Sequence, residues 1–153
     1  MSRKAVFVDR DGTINRDCPY CHDPKDLKIY EDTANILKRY QEEGYLIIIV
    51  TNQSGINRGY LSEEEFNRFQ KAVLGELDKR GVHVVATYHC PHTPWEGCSC
   101  RKPNTGLIEQ ARKDFDIDLR GSVMIGDNDA TDGELAKKLG IKCIILDKNR
   151  QGN

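Results

Sequence analysis

Strand-like and helix-like segments alternate along almost the whole of this 153-residue sequence. Short runs of apolar and β-branched residues predict five strands, over residues 4–8, 45–50, 82–88, 122–125 and 141–146. Apolar residues that recur on one face predict helices between them, over 32–43, 62–81, 104–114 and 131–139. Strands that alternate with helices lie parallel in one sheet with helices on both faces. The sequence therefore predicts an α/β protein with a three-layer, Rossmann-like parallel sheet, and this length fits a single domain over residues 1–153.

Two helix boundaries are marked by capping residues. Ser62, followed three residues later by Glu65, predicts a capping box at the start of the second helix. Either Asp32 or Thr33 is expected to cap the first helix, and Gly44 is expected to end it.

The charge balance excludes several classes of partner. The 23 basic and 24 acidic residues leave a formal net charge of −1, which argues against bulk electrostatic binding to nucleic acid or to an anionic membrane.

The longest strongly apolar run, 46–50, is too short to cross a bilayer, and no signal-peptide region is recognisable. We therefore expect a cytoplasmic protein, and a monomer because no large apolar stripe is left over. In the cytoplasm its six cysteines are expected to be metal ligands or inert thiols.

Polar residues follow four of the predicted strands. Asp9 and Asp11 come after the first strand, residues 51–55 after the second, residues 90–103 after the third and Asp127 after the fourth. Because the carboxyl ends of parallel strands meet at one edge of a sheet, we expect these residues to share one site. Paired carboxylates suit Mg²⁺, which would also keep Asp9 ionised as a nucleophile. A solvated Asp/Gly turn is the alternative interpretation of the first motif alone.

Four residues of metal-binding types lie within the eleven-residue segment 90–100, namely Cys90, His92, Cys98 and Cys100. Three cysteines and one histidine form a closed tetrahedral ligand set for Zn²⁺, and closed sets are usually structural. Three unrelated thiols and an imidazole on a flexible loop are the alternative.

Together these motifs resemble the haloacid dehalogenase (HAD) superfamily of phosphotransferases. Asp-x-Asp-Gly-Thr at 9–13 is similar to motif I of that superfamily, Thr51 to motif II, Lys102 to motif III and Gly126-Asp127 to motif IV. Phe-Val-Asp-Arg-Asp-Gly-Thr-Ile-Asn, Val-Thr-Asn-Gln-Ser-Gly and Cys-Pro-His…Cys-x-Cys-Arg-Lys-Pro resemble the heptose bisphosphate and histidinol-phosphate phosphatase branch, over about residues 4–146. Thr-Asn-Gln-Ser-Gly is closer to the heptose group.

The resemblance implies a Mg²⁺-dependent phosphatase that acts on a small phosphorylated metabolite through an aspartyl-phosphate. The first expectation is the 7-phosphate of D-glycero-D-manno-heptose 1,7-bisphosphate, and histidinol phosphate is the main alternative. Asp9 would attack phosphorus, Asp11 would act as general acid and then base, and Thr51 and Lys102 would hold the phosphoryl oxygens. Mg²⁺ would be held by the Asp9 side chain, the Asp11 backbone carbonyl and Asp127. The short distance from motif I to the first helix implies that no large cap domain is present.

The resemblance also implies a structural zinc loop that brings Arg101 and Lys102 to the site. The expected substrate-binding residues are Asp17, Tyr20, Thr51, Asn52, Gln53, Ser54, Arg101 and Lys102. Asn128 and the long spacing from Asp127 to Asp132 depart from the family pattern, so the second acidic position of motif IV is left unassigned.

Some alternatives stay open. A non-catalytic zinc-binding interaction module and a nucleic-acid end phosphatase are other functional hypotheses, although the near-neutral charge disfavours the latter. Cys18 and Cys21 are expected to be free thiols beside the site, while a redox pair or a second metal site also fits their spacing. Arg10, Arg16 and Arg58 are either contacts for a second phosphate or solvated surface residues.

Overall fold

Five strands form one parallel sheet in the computed structural model, which describes residues 2–147, 149 and 150. They are β1 (Ala5–Val8), β2 (Leu46–Asn52), β3 (Val84–Cys90), β4 (Val123–Gly126) and β5 (Lys142–Ile145). Their order across the sheet is β3-β2-β1-β4-β5, and every neighbouring pair is parallel. The chain therefore runs outward from β1 on one side and then crosses to β4 on the other. The switch in strand order falls between β1 and β4, where ligands bind in sheets of this kind.

Four α-helices within the described residues cover the two faces of the sheet. They are α1 (Glu31–Glu42), α2 (Glu63–Lys79), α3 (Gly106–Asp114) and α4 (Glu134–Leu139). Val6 and Val8 of β1 pack into a core with apolar residues of α1 and α2. Ala5 and Phe7 point to the opposite face and pack with α3 and α4. This alternation along one strand confirms the predicted three-layer α/β arrangement. Among the described residues, every helix is too short or too polar to span a membrane.

The predicted elements agree closely with the observed ones. Each predicted strand lies within two residues of the observed strand at both ends, and Ser62 caps α2 in the expected capping box. The prediction that Asp32 or Thr33 caps α1 is wrong, because the N-cap residue is Tyr30. Asp32 and Thr33 lie in the first turn instead, where the Thr33 hydroxyl donates to the backbone carbonyl of Thr13 at 2.6 Å.

The fourth helix is shorter than the predicted 131–139. It begins at Glu134, and a π-helical turn over Asp129–Gly133 precedes it. The side chain of Asn128 accepts a hydrogen bond from the backbone N–H of Ala130 at 2.9 Å and so begins this turn. Such turns hold one residue more than an α-helical turn and are frequent at functional sites.

Candidate active site

A cleft of about 440 Å³ opens at the carboxyl ends of the central strands. Asp9 lies just after β1 and Asp127 just after β4, and the buried side chain of Lys102 reaches Asp9 from the segment after β3. With the exception of Thr51, the substrate-binding residues expected from the sequence all line this cleft: Asp17, Tyr20, Asn52, Gln53, Ser54, Arg101 and Lys102. The predicted convergence of the strand ends on one site is therefore present in the structure.

Asp9 lies at the floor of the cleft with both carboxylate oxygens engaged. Its Oδ1 accepts a hydrogen bond from Lys102 Nζ at 2.9 Å, and its Oδ2 accepts one from the Thr13 hydroxyl at 3.2 Å. Lys102 Nζ also donates to the Val50 carbonyl at 2.9 Å and to Asp132 Oδ1 at 2.7 Å. Burial alone would lower the pKa of Lys102, but the charges of Asp9 and Asp132 outweigh it and raise this pKa. Lys102 is therefore a fixed cation beside the Asp9 carboxylate.

Asp132 is the site residue that the sequence analysis left unassigned. It is fully buried, and its second oxygen, Oδ2, has no hydrogen-bond partner within the described residues. The π-helical turn directs its side chain toward Lys102, and Gly126 leaves room for it, since a Cβ at Gly126 would lie 2.5 Å from the Asp132 Cβ. The spacing from Asp127 to Asp132 is one residue longer than the family pattern, which left Asp132 unassigned. The same extra residue was a signal for a π turn, because such a turn holds one residue more than an α-helical turn.

Three carboxylates converge beside Lys102. Asp9, Asp127 and Asp132 each offer an oxygen, and these oxygens all lie within 4.8 Å of one another. Burial and the neighbouring Asp9 raise the pKa of Asp127 to about 8. Burial and Asp9 also raise the pKa of Asp132 to about 6, although Lys102 opposes this. Three carboxylates beside one lysine leave the group with excess negative charge when they are ionised, and clustered carboxylate oxygens of this kind fit a hard divalent cation such as Mg²⁺.

Asp11 lines the cleft, but its carboxylate lies outside this three-carboxylate group. Arg10 binds both of its oxygens, at 2.9 and 3.1 Å, and Gln53 and Asn15 donate to it at 2.9 and 3.1 Å. Burial alone would raise the pKa of Asp11, but the Arg10 charge and these hydrogen bonds outweigh it and hold the pKa below its ordinary value. In this arrangement Asp11 is an ionised carboxylate at the wall of the cleft.

The three arginines with open roles lie outside the lining of this cleft. Arg10 is fully buried, and its guanidinium packs 5.1 and 4.9 Å from the ring centres of Phe66 and Phe69. It is therefore neither a surface residue nor a substrate contact; its role is to hold Asp11. Arg58 donates to the Ser54 hydroxyl at 3.2 Å, so it supports a residue of the cleft wall from outside.

Thr51 is buried behind the cleft wall. Its hydroxyl accepts a hydrogen bond from Gln53 Nε2 at 3.0 Å. The next residue, Asn52, fixes the segment that carries Lys102, because its side chain accepts from the Lys102 N–H at 2.9 Å and donates to the Lys102 carbonyl at 3.2 Å. The close approach of the 9–13 segment to Asp127 requires a glycine at position 12. The φ of Gly12 is +89°, and a Cβ at this position would overlap the Asp127 carboxylate.

The cysteine and histidine residues of the 90–100 segment lie together. Cys90 Sγ is 3.3 Å from His92 Nδ1 and 3.5 Å from Cys98 Sγ, and His92 Nδ1 is 3.2 Å from Cys100 Sγ. A tetrahedral Zn²⁺ site, with bonds of about 2.0–2.3 Å, separates its ligand atoms by roughly 3.3–3.8 Å. The four side chains therefore form a group that fits a metal ion. The backbone N–H of Arg101 donates to Cys98 Sγ at 3.4 Å, which links this group to the cleft.

Cys18 and Cys21 are joined by a disulfide, so the expectation of free thiols is wrong. Their Cα atoms lie 5.3 Å apart and flank Tyr20, which lines the cleft. Tyr20 has a φ of +53°, the only positive value at a non-glycine position among the described residues. Its ring packs 4.5 Å from the ring of Tyr60.

Comparisons with known proteins agree with this fold. A family model described as HAD-hydrolase-like matches residues 99–152. A protein of Thermoplasma acidophilum, named as a probable D-glycero-D-manno-heptose-1,7-bisphosphate 7-phosphatase, is 64% identical over 143 residues, which are 94% of this chain and 89% of that protein. The D-glycero-beta-D-manno-heptose-1,7-bisphosphate 7-phosphatase of Haemophilus ducreyi is 44% identical over 154 residues, covering 95% of this chain and 84% of its own length.

A solved structure extends the likeness to three dimensions. The D,D-heptose 1,7-bisphosphate phosphatase from B. bronchiseptica, complexed with magnesium and phosphate, superimposes with a TM-score of 0.83 at 29% identity, over 93% of this chain and 79% of that one. The fold and the carboxylate site define a phosphatase of the HAD superfamily. Within that superfamily, the chain belongs to the D-glycero-D-manno-heptose 1,7-bisphosphate 7-phosphatase family.

Proposed function

We propose that this chain hydrolyses the 7-phosphate of D-glycero-D-manno-heptose 1,7-bisphosphate through an aspartyl-phosphate on Asp9, with Mg²⁺ as cofactor. The observation that carries the proposal is the position of the Asp9 carboxylate, which lies at the cleft floor between Lys102 Nζ and the Thr13 hydroxyl. The names of the relatives, and the magnesium and phosphate bound by the B. bronchiseptica enzyme, support the same reaction.

In the first step an oxygen of Asp9 attacks phosphorus, and the bond between phosphorus and the sugar oxygen breaks. Lys102 and Thr13 fix the Asp9 carboxylate, so little orientation has to be gained during the attack. The positive charge of Lys102 also stabilises the phosphoryl oxygens. The Thr51 hydroxyl, which the resemblance assigned to the same task, lies behind the cleft wall in this structure and accepts from Gln53 Nε2, so it would reach a phosphoryl oxygen only if Gln53 moved.

Asp11 is the residue proposed to move protons. It gives a proton to the leaving sugar oxygen, and it then takes one from the water that attacks the aspartyl-phosphate and releases inorganic phosphate. The bidentate Arg10 pair keeps Asp11 ionised in this structure, which suits the second step. The first step requires this pair to loosen when substrate fills the cleft, so that Asp11 takes up a proton from solvent before it gives one to the sugar oxygen.

The cation sites have separate roles. Mg²⁺ would be held by the Asp9 carboxylate, the Asp11 backbone carbonyl and Asp127, and it would supply positive charge opposite the carboxylates and the phosphoryl oxygens. The buried Asp132 lies beside this position and balances Lys102. For the closed cysteine and histidine group we propose structural Zn²⁺, because all four ligand positions come from the protein and none is left open for a substrate.

The walls of the cleft suit a hydroxyl-rich, doubly phosphorylated sugar. Asp17, Asn52 and Ser54 offer hydrogen-bonding groups, Tyr20 offers an aromatic surface, and Arg101 offers a cation for the phosphate that is not cleaved. Cytoplasmic location, a single domain over 1–153 and a monomeric state remain predictions from the sequence.

The decisive experiment is phosphate release in the presence of Mg²⁺, with heptose 1,7-bisphosphate and histidinol phosphate compared and Asp9→Asn as the blank. We expect a preference in kcat/KM for the heptose of more than about 100-fold, which is about 2.7 kcal/mol of transition-state discrimination. The opposite preference would assign the chain to histidinol phosphate. Release from neither substrate by the folded, metal-loaded protein would reject both substrates and require a screen of other phosphate esters.

A further inference from the structure

Arg150, close to the end of the described chain, reaches back to the segment that carries the nucleophile. We call residues 9–13 the nucleophile loop. Arg150 Nη2 donates to the carbonyl of Thr13 at 3.1 Å, and Nη1 lies 3.4 Å from the carbonyl of Gly12. The Arg150 side chain is only 15% exposed, so these contacts are made away from bulk water.

The same guanidinium is bound to the start of α1. Its Nε donates to Asp32 Oδ2 at 2.7 Å, its Nη2 donates to the Thr33 hydroxyl at 2.8 Å, and its carbon lies 3.9 Å from the ring centre of Tyr30. The Thr33 hydroxyl in turn donates to the Thr13 carbonyl. Arg150 therefore links three residues at one helix terminus, Tyr30, Asp32 and Thr33, to the nucleophile loop, and its planar fork is suited to such a set of acceptors.

The bonded carbonyl belongs to the residue that holds the nucleophile. The Thr13 hydroxyl donates to Asp9 Oδ2 at 3.2 Å and lies 3.5 Å from Asp127 Oδ1. A shift of the Thr13 backbone would therefore move the hydroxyl that orients Asp9. It would also move Gly12, which lies directly against the Asp127 carboxylate.

We propose that Arg150 is a positioning residue for the phosphatase reaction, because it fixes the backbone of the nucleophile loop against α1 and so holds Asp9 in its attacking orientation through Thr13. The proposal rests on the function proposed above. It names a residue outside the four sequence motifs and outside the lining of the cleft. Because Arg150 orients Asp9 and does not contact the substrate, loss of its side chain should lower kcat and leave KM unchanged.

Arg80 provides a matched control. It also binds an acidic residue in the first turn of α1, because its Nη2 donates to Glu31 at 2.7 Å, and it binds Glu76 as well. The hydrogen bonds of Arg80 go to these residues of α1 and α2 and not to the nucleophile loop. Arg80→Met should therefore lower the thermal midpoint of unfolding while kcat stays at the wild-type value.

The test compares Arg150→Met, Arg150→Lys and Arg80→Met with the wild-type protein. For Arg150→Met we expect a roughly 30-fold loss of kcat, equivalent to about 2 kcal/mol, with KM within about twofold of wild type. Arg150→Lys should recover part of the loss, since an ammonium bonds one carbonyl but does not span Asp32 and Thr13. Wild-type kcat in Arg150→Met, or an equal loss of kcat in Arg80→Met, would overturn the proposal.

A second readout separates this inference from the proposed function. Amide hydrogen exchange at residues 10–14 should be faster in Arg150→Met than in wild type and unchanged in Arg80→Met. If the wild-type protein released no phosphate, the proposed function would fail while exchange still reported on the loop, and unchanged exchange would overturn the inference. If Arg150→Met does not fold, Arg150→Lys decides, because wild-type kcat and wild-type exchange in that variant would reject the role.

Discussion

Asp132 sets the charge balance at the centre of the site. Lys102 is almost fully buried between Asp9 and Asp132, and it makes a 2.9 Å contact with the first and a 2.7 Å contact with the second. A buried cation needs such partners, because a charge left uncompensated in the interior is strongly destabilising. Asp132 therefore holds Lys102 at a fixed distance from Asp9, the nucleophile proposed above.

Asp132→Asn should lower both activity and stability. We expect kcat/KM to fall by roughly 10–100-fold, the range for residues that support a catalytic cation. The free energy of unfolding should fall by up to about 3–5 kcal/mol, the usual cost of breaking a buried ion pair. Asp129→Asn is the control, because Asp129 is an exposed residue of the same turn. Phosphate-release kinetics and denaturant titration of both variants test this prediction. Equal losses of kcat/KM and of the free energy of unfolding in the two variants would contradict it.

The positions of the site residues could be predicted, but the direction of the Asp11 side chain could not. Asp9, Lys102 and Asp127 follow strand ends or precede a helix, and a parallel sheet brings those places together. The sequence pairs Asp11 with Asp9, but side-chain alternation is a property of strands, and Asp11 lies beyond the end of β1, in an isolated bridge with Asn15. Its direction is set by Arg10, a buried partner whose burial the local pattern does not reveal.

At the scale of elements, the π-helical turn shows how one inserted residue is accommodated. The turn Asp129–Gly133 takes up the extra residue between β4 and α4, so the apolar face of α4 still packs on the sheet and Asp132 still points into the site. The 3.6-residue periodicity over 131–139 predicted a regular helix, because a hydrophobic pattern does not distinguish an α-helical turn from a π turn.

Gly75, in the interior of α2, offers a stabilising substitution. A Cβ added there would meet no atom within 4 Å, and its φ lies outside the left-handed region. Gly75→Ala should therefore raise the free energy of unfolding by roughly 0.5–1 kcal/mol, through the entropy of the unfolded chain and helix propensity. For a chain of this length the thermal midpoint should rise by roughly 1–4 °C.

Gly140→Ala is the matched comparison for Gly75→Ala. Gly140 is the C-cap of α4 and also has open space around a built Cβ, but its φ is +69°. Alanine at this position should lower the free energy of unfolding by roughly 1–2 kcal/mol, since a Cβ is unfavourable in the left-handed region. Changes of the same sign in the two variants would show that backbone conformation does not decide the result.

The loop closed by Cys18 and Cys21 is expected to control substrate binding more than turnover. The disulfide brackets Tyr20, whose positive φ is unfavourable for a residue with a side chain and must be held by its surroundings. In Cys18→Ser/Cys21→Ser the ring should lose its fixed position at the cleft wall. We expect KM for the sugar phosphate to rise by roughly two- to tenfold, the cost of ordering one side chain on binding, with kcat unchanged. A reduced kcat at constant KM would contradict this.

At the scale of the whole molecule, parallel α/β architecture could be predicted but strand order could not. Alternation of strands and helices fixes parallel pairing and right-handed crossovers. It does not say on which side of β1 each new strand is added, because β2 and β4 are both continuous apolar runs that fit a central position. Only the partial exposure of β3 and β5 in the structure marks them as the edges.

The two candidate metal sites should respond differently to metal removal, because one joins two segments of the chain and the other lies in an open cleft. The cysteine and histidine group joins the end of β3 to the segment that carries Arg101 and Lys102, so a bound ion there holds part of the fold. The carboxylate group lies in an open cleft between strands that pack without it. Removal of Mg²⁺ should therefore abolish phosphate release with little change in the thermal midpoint.

Removal of Zn²⁺ should lower activity and thermal midpoint together. An ion present at 1,000 times its dissociation constant stabilises the native state by about 4.1 kcal/mol, which for a chain of this size is roughly 8–16 °C. Cys100→Ser should lose the bound zinc and show this lower midpoint, whereas Cys143→Ser, a substitution on β5 away from the group, should keep one zinc per chain. Elemental analysis and calorimetry of the two variants give both quantities. An unchanged thermal midpoint after chelation of zinc would contradict this prediction. It would mean that Asp9, Asp132 and Asn52 hold Lys102 in place without the cysteine and histidine group.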